Sequence, residues 1–200
     1  MISQPLKLGF LASGNGSSAR AILAAIRADE LAAEPRLLVS NNRTSPSLAF
    51  AAEQAVPALC IPTTADPDAA DVRLADAMAG HGVELIVLSG YLRQLGPETL
   101  ARYAGRILNI HPGPLPEFGG HGMYGRRVHE AVIAAKVDES SIVIHLVDAE
   151  YDRGPVVARR SVSVTPGVTA DALEARVTAL EPAFFVDTLR RIARGELSLP

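Results

Sequence analysis

One short segment of the chain carries side chains that could act on a carbonyl group. Asn109 and His111 lie two residues apart at the end of an apolar run, so in a strand both point to the same side. An amide N–H can donate to a developing oxyanion, and an imidazole can exchange a proton near neutral pH. Three prolines in residues 112–116 stiffen the following loop and hold both side chains in place. A histidine that only forms hydrogen bonds in a core is the competing interpretation.

An acidic segment, residues 148–155 (DAEYDRGP), lies between two β-branched stretches and could bring a carboxylate to His111. A carboxylate partner would raise the pKa of the imidazole and keep its cation available as a proton donor. Acidic residues between strands more often form a solvated turn. The segment therefore indicates a catalytic pair only together with the other motifs.

A glycine-rich turn, residues 13–18 (SGNGSS), connects the first apolar run to a helix start. Its glycines let the backbone approach a ligand, and its N–H groups and the Ser17 and Ser18 hydroxyls suit a terminal phosphate. The spacing also matches a loose dinucleotide motif, but residues 40–42 (SNN) lack the acidic side chain that would hold an adenosine ribose, so a nicotinamide cofactor is disfavoured. A tight turn without a ligand remains the alternative.

The elements that position these segments follow from alternating strand-sized and helix-sized stretches. We predict strands at Leu6–Ala12, Arg36–Ser40, Val56–Ile61, Glu84–Ser89, Arg106–Ile110, Ser141–Val147 and Val156–Val164. We predict helices at Ser18–Leu31, Ser47–Gln54, Asp68–Gly80, Pro97–Tyr103, around Val128–Ala135, and from about Thr169, the last with a kink at Pro182. The fold class is α/β: a single Rossmann-like, doubly wound domain with a mostly parallel sheet, an antiparallel strand pair near the C-terminal end and a final long helix.

Composition limits the function further. The 200 residues are 48% hydrophobic and 20% charged, which suits a folded domain and excludes disorder. The net charge of −3 disfavours nucleic acid as a partner, and a single Cys60 excludes an internal disulfide. The apolar runs are too short to cross a membrane, and the N-terminus has no secretory leader, so we expect a cytoplasmic protein. Metal-ligand spacings such as CxxC or HxxxH do not occur, and no metal site is predicted.

Four segments, in this order, resemble the phosphoribosylglycinamide formyltransferases, the folate-dependent enzymes of purine synthesis. They are GNGSS at 14–18, SGYLRQL at 89–95, NIHPGPLP at 109–116 and EYDRGPVV at 150–157. The resemblance extends over nearly the whole chain. Related methionyl-tRNA formyltransferases and deformylating hydrolases carry an additional domain, for which this chain has no room.

The resemblance implies one formyltransferase domain over residues 1–200, with a phosphate-binding N-terminal half and a catalytic, folate-binding C-terminal half. It implies these site residues: Asn109, His111 and Asp152 as catalytic; Gly16, Ser17, Ser18 and Glu181 at the nucleotide substrate; Leu92, Arg93, Gln94, Leu95 and Asn109 at the pterin; and His145 behind the catalytic residues. It implies 10-formyltetrahydrofolate as co-substrate with no tightly bound cofactor, glycinamide ribonucleotide as acceptor, and a monomer or homodimer. Asp152 would raise the pKa of His111 and relay the proton of the attacking amine.

The chain departs from the family pattern at three places. Ser18 stands where family members often have Asn, and residues 112–124 differ from the commoner proline and histidine pattern of that loop. A basic position that contacts the folate in some members falls near Pro67, with Arg73 the nearest candidate. Two other functions remain open: a related enzyme with another acceptor or with water, and a nucleotide-binding module without catalysis.

Overall fold

The structure, a computed structural model, describes residues 4–200; residues 1–3, part of the segment interpreted as lacking a leader, lie outside it. Within the described residues the strands are β1 (Leu6–Leu11), β2 (Ala33–Ser40), β3 (Ala58–Cys60), β4 (Leu85–Leu88), β5 (Ile107–His111), β6 (Glu139–Leu146) and β7 (Val156–Ser163). The helices are α1 (Ser17–Arg27), α2 (Pro46–Glu53), α3 (Pro67–Gly80), α4 (Pro97–Arg102), α5 (Arg126–Ala134) and α6 (Ala170–Ala193).

One sheet joins the strands in the order β3-β2-β1-β4-β5-β6-β7. The first five strands are parallel, and β6 pairs antiparallel with both β5 and β7. This arrangement confirms the predicted fold class, including the antiparallel pair and the long final helix. The strand order reverses between β1 and β4, so the segments that follow these two strands face each other across the crevice where such sheets bind ligands.

Alternate side chains of the strands supply two cores, one on each face of the sheet. Phe10 and Leu108 pack on the face covered by α1 and α6, where Phe185 is fully buried. Leu11 and Ile107 pack on the opposite face, which is covered by α3 and α4. Burial on both faces explains why the parallel strands appear in the sequence as nearly continuous apolar runs.

The first helix ends earlier than predicted. We predict Ser18–Leu31, but α1 stops at Arg27. The chain turns there because Asp29 adopts a left-handed backbone with φ of 55°, and the Glu30 N–H bonds back to the Ala25 carbonyl at 2.9 Å. These bonds satisfy the last carbonyls of the helix in place of further turns.

Two strand predictions were also wrong in length. The strand predicted at Arg36–Ser40 begins at Ala33, and Pro35 is tolerated there because β3 does not reach this part of β2. The strand predicted at Val56–Ile61 is reduced to Ala58–Cys60, an edge strand that pairs only with the last residues of β2. The other strand bounds lie within two residues of their predicted positions.

The final helix begins where the sequence predicts. The Thr169 hydroxyl accepts the Ala172 N–H at 3.2 Å and caps its first turn. The helix then runs 24 residues, continuing through Pro182, where the kink stays a prediction. Among residues 4–200, none of the helices combines the length and the apolar character needed to cross a bilayer.

Candidate active site

Three polar side chains project from the same face at the end of β5 and from its neighbour β6. Asn109 pairs with His145 and His111 pairs with Val143 across the antiparallel ladder, so these residues share one face of the sheet. His111 and His145 are 3% and 2% exposed. The Asn109 amide nitrogen lies 3.1 Å from His145 Nε2. The register of the two strands therefore places Asn109 and His111 beside His145.

Asp152 closes this group into a four-residue cluster of Asn109, His111, His145 and Asp152. The loop after β6 folds back over the sheet, and the two Asp152 carboxylate oxygens lie 3.5 Å from His111 Nδ1 and 3.4 Å from His145 Nε2. The Asp152 side chain is 11% exposed. The predicted proximity of His111 and Asp152 is present, and His145 lies directly against the carboxylate.

Backbone carbonyls orient both imidazoles. His111 Nε2 lies 2.8 Å from the Phe118 carbonyl oxygen, so this nitrogen carries a proton and donates it there. The Nδ1 nitrogen of the same ring faces the Asp152 carboxylate. His145 Nδ1 donates to the Leu146 carbonyl at 2.8 Å, which leaves Nε2 toward Asn109 and Asp152. Both nitrogens of His111 thus face acceptors, a geometry that favours the imidazolium.

Burial opposes that preference. Burial lowers the pKa of His111, and although Asp152 and the Phe118 carbonyl raise it, the pKa stays below its ordinary value. The expected contribution of Asp152 is present, but the expectation of a raised pKa for His111 was wrong, because desolvation of the enclosed ring outweighs the carboxylate. Burial raises the pKa of Asp152, but its contacts with His145, His111 and the Gly120 N–H together lower it.

The loop between β5 and α5 packs tightly on the cluster. The Gly120 N–H donates to Asp152 Oδ2 at 3.0 Å. A Cβ on Gly119 would lie 2.9 Å from the Asp152 Cβ and 2.3 Å from Leu115 Cδ2, so only glycine fits without a shift. Asp152 itself has a left-handed backbone with φ of 56°. The loop backbone therefore holds both His111, through Phe118, and Asp152.

The glycine-rich turn presents a second concentration of polar groups. Gly16 has φ of 65° and opens α1 without a side-chain cap. Within residues 4–200, the N–H groups of Asn15, Gly16, Ser17 and Ser18 donate to no other residue. The Ser17 side chain is exposed, whereas Ser18 is 3% exposed. Several N–H groups at a helix start form a site for an anion.

The segment predicted at the pterin follows β4. The Leu92 N–H donates to the Ser13 hydroxyl at 2.8 Å, whereas the N–H groups of Arg93, Gln94 and Leu95 meet no acceptor within residues 4–200. A cavity of about 310 Å³ adjoins this segment. Its lining is Val39, Ile61, Thr63, Pro67, Asp68, Ala70, Asp71, Leu74, Tyr91, Gln94, Leu95, Gly96 and Pro97, with no basic side chain among them.

Other predicted residues lie apart from the cluster. The Glu181 side chain on α6 forms no hydrogen bond or ion pair within residues 4–200, and burial raises its pKa to about 7. His81 caps α3 through a 2.8 Å contact of its Nδ1 with the Ala77 carbonyl. His121 contacts the ring of Tyr151 edge-on. Groups of three His, Cys, Asp or Glu side chains placed to hold a metal are absent from residues 4–200.

Sequence reasoning missed the contacts made by Ser13, Ser89, Phe118 and Gly119. Ser13 and Ser89 each follow a parallel strand at the sheet reversal, and this position was the one available signal. The contact of the Phe118 carbonyl with His111 could not be predicted from the residue type, because every residue has a backbone carbonyl. The sequence shows Gly119 as the first residue of a Gly-Gly pair. It does not show that Gly119 contacts Asp152, because the two residues are far apart in the sequence.

Residues 6–189 match the family model described as formyl transferase. The chloroplastic phosphoribosylglycinamide formyltransferase of Vigna unguiculata is 34% identical over 193 residues, covering 96% of this chain and 62% of the plant protein, so the chain spans less than two thirds of that relative. The phosphoribosylglycinamide formyltransferase of Mycobacterium tuberculosis H37Rv is 36% identical over 194 residues, covering 96% of this chain and 86% of the relative. A crystal structure of glycinamide ribonucleotide transformylase 1 from Symbiobacterium toebii superposes with a TM-score of 0.88 at 30% identity, covering 98% and 92% of the two chains.

Proposed function

The chain belongs to the formyl transferase family, and within it we propose that the protein transfers the formyl group of 10-formyltetrahydrofolate to the amine of glycinamide ribonucleotide. The products would be the formylated ribonucleotide and tetrahydrofolate. This reaction would be a step of purine synthesis. Both substrates are small molecules, and the folate acts as a co-substrate without a tightly bound cofactor. We place the protein in the cytoplasm.

The observation that carries this proposal is the four-residue cluster at the end of β5. It combines a neutral amide donor, a histidine and a carboxylate, all within contact distance and largely buried. Acyl transfer to an amine needs a donor for the oxyanion and a group that moves a proton. A nucleotide-binding module without catalysis has no use for either.

In the reaction, the amine nitrogen attacks the formyl carbon, and the carbonyl oxygen takes the negative charge. We assign Asn109 and protonated His111 as the donors to that oxygen, for which one His111 N–H leaves the acceptor that it faces in the free protein. One well-placed oxyanion donor contributes about 3 kcal/mol to such a transition state. Because burial disfavours the His111 cation in the free protein, the developing oxyanion beside it would favour protonation as the reaction proceeds.

The tetrahedral intermediate then collapses by breaking the bond between the carbon and N10 of the folate. The amine nitrogen loses a proton, and N10 gains one as it leaves, so no net proton is consumed. We assign this exchange to Asp152, whose carboxylate is ionised at neutral pH because its pKa is lowered. His145 contacts Asp152 and Asn109 and would hold both in place.

The nucleotide and the folate would bind on either side of this cluster. We assign the phosphate to the N–H groups of Gly16, Ser17 and Ser18, and a nucleotide contact to Glu181. We assign the pterin to the backbone of residues 92–95, together with Asn109. The phosphate would then lie in the N-terminal half, the catalytic residues in the C-terminal half, and the folate between them, at residues 92–95 and Asn109.

The test is a formyl-transfer assay with glycinamide ribonucleotide and 10-formyl-5,8-dideazafolate, followed by absorbance. We expect turnover by the wild type and loss of at least 10²-fold in His111→Ala. His81→Ala serves as the matched histidine control, because His81 only caps α3.

Two outcomes would replace the proposal. Formate release without the acceptor would indicate a hydrolase. Nucleotide binding without any folate-dependent turnover would indicate a binding module.

A further inference from the structure

Three hydrogen bonds join the glycine-rich turn to the segment that follows β4. The Ser13 N–H donates to the Gly90 carbonyl at 3.0 Å, and the Ser13 hydroxyl accepts the Leu92 N–H at 2.8 Å. From the other side, the Ser89 hydroxyl accepts the Ala19 N–H at 3.0 Å. We call this set of contacts the serine seam.

Both serines of the seam are buried, and the donor and the acceptor of each hydrogen bond at the Ser13 hydroxyl can be assigned. Ser13 is 9% exposed and Ser89 is 3% exposed. The single hydroxyl proton of Ser13 goes to the Asn41 side-chain oxygen at 2.6 Å, so its oxygen has lone pairs left for the Leu92 N–H. One hydroxyl therefore connects residues from the ends of three neighbouring strands, β2, β1 and β4.

The segment after β4 has few other backbone anchors. Gly90 turns the chain with φ of 72°, and the N–H groups of residues 93–95 meet no acceptor within residues 4–200. The Leu92 side chain is 74% exposed and contributes little packing. The bond to Ser13 is thus the hydrogen bond that holds the backbone just before residues 93–95.

We propose that Ser13 is a positioning residue that couples the two substrate sites. This inference rests on the proposed function, which places the nucleotide phosphate at the turn and the folate at residues 92–95. A phosphate that orders residues 14–18 also orders Ser13, which then holds the Leu92 N–H and the folate segment in place. Because binding linkage is reciprocal, each substrate tightens the binding of the other by the same factor.

The test is a binding cycle with Ser13→Ala. The affinity for the inert analogue 5,8-dideazafolate is measured by calorimetry with and without glycinamide ribonucleotide. We expect the wild type to bind the folate analogue more tightly when the nucleotide is present. In Ser13→Ala the folate affinity falls about 3- to 10-fold, as for one lost hydrogen bond, and the nucleotide no longer changes it.

The matched control is Ser45→Ala. Ser45 is buried like Ser13, with 3% of its surface exposed, and its hydroxyl donates to the Gly14 carbonyl at 2.7 Å, on the same turn. It has no bond to residues 89–92. The coupling should therefore persist in this variant, whereas a general loosening of the turn would remove it in both.

Equal affinities with and without nucleotide in the wild type would overturn the inference. So would wild-type coupling in Ser13→Ala, or an equal loss of coupling in Ser45→Ala. If Ser13→Ala does not fold, Ser13→Cys keeps the shape but replaces the hydroxyl acceptor of the Leu92 N–H by a weak sulfur acceptor, and it decides the question by the same cycle. The cycle measures binding alone, so absence of formyl transfer in the wild type would reject the proposed function separately.

Discussion

The glycine-rich turn and the four-residue cluster are built in opposite ways. The turn offers backbone N–H groups from four consecutive residues, 15–18, and a left-handed glycine positions them. The cluster offers side chains from three separate segments, around residues 109–111, 145 and 152; the two histidines are buried, and Asn109 and Asp152 are partly buried. A site made of backbone tolerates side-chain replacement and changes little with pH. A site made of buried ionisable side chains is sensitive to both.

The largest effect that this difference predicts is at Asp152. Asp152→Asn should lower kcat by about 10²- to 10⁴-fold while the KM for the nucleotide changes little, because the substitution removes the charge but keeps the shape. Asparagine also tolerates the left-handed backbone at this position, where φ is 56°. Steady-state kinetics with both substrates provide the measurement.

Asp148→Asn is the control for that experiment, since Asp148 is exposed in the same loop. Equal losses in both variants, or unchanged turnover in Asp152→Asn, would remove Asp152 from the mechanism.

A smaller loss is expected when the loop backbone is pushed away from the cluster. Gly119→Ala places a methyl group against the Asp152 Cβ at 2.9 Å, which should displace the carboxylate and lower kcat about 10-fold. The acid limb of the pH profile should also move to higher pH, because the Gly120 N–H that lowers the pKa of Asp152 moves with the loop.

Gly122→Ala tests whether any change in this loop has the same effect. Its φ of 83° puts alanine under backbone strain, which Gly119 does not share, but the nearest atom to a new Cβ is Arg127 Nη1 at 3.8 Å. A comparable loss of kcat in Gly122→Ala would show that general loop strain, and not contact with Asp152, is responsible.

Glu181 tests whether an ionisable side chain shielded from water makes the stability of the fold depend on pH. Its pKa of about 7 in the folded protein lies above the ordinary glutamate value of 4.5, so between these values the folded state binds the proton more tightly than the unfolded state. The free energy of unfolding contributed by this group therefore falls as pH rises from about 4.5 to 7. Glu181→Gln should raise Tm at pH 8 and leave it nearly unchanged at pH 4.

Thermal denaturation at the two pH values measures this. Asp187→Asn, which replaces an exposed carboxylate on the same helix, is the control and should not reproduce the gain at pH 8. A gain in Glu181→Gln that is independent of pH would contradict a buried, ionising carboxylate.

The smallest effect is expected in the turn. Ser17→Ala should raise the KM for the nucleotide only about 2- to 5-fold, because the exposed hydroxyl adds one hydrogen bond to those from the backbone. The KM for the folate should not change. An effect as large as that of Asp152→Asn would contradict the difference between the two regions, since the turn would then bind through side chains and not through backbone N–H groups.

Much of the site was visible before the structure. Asn109 and His111 are two residues apart on a strand, so the alternation of side chains predicted that both lie on one face of the sheet. Residues 14–18 connect a strand to the start of a helix, and their glycines and serines predicted a tight turn there. The resemblance to a family supplied Asp152 and His145 as partners. The net pKa of His111 could not be predicted, because it depends on how completely the ring is enclosed by residues far away in the sequence.

The sequence by itself determined the alternation of strands and helices, the antiparallel pair near the C-terminus and the residue types at the strand ends. These are properties of neighbouring residues, and hydrophobic periodicity records them directly. Only the tertiary structure decided that the two Asp152 oxygens lie between two histidines, that a backbone carbonyl orients His111 and that Ser13 joins the turn to the segment after β4. Such contacts depend on strand register, loop path and desolvation, which arise when segments distant in the sequence pack together.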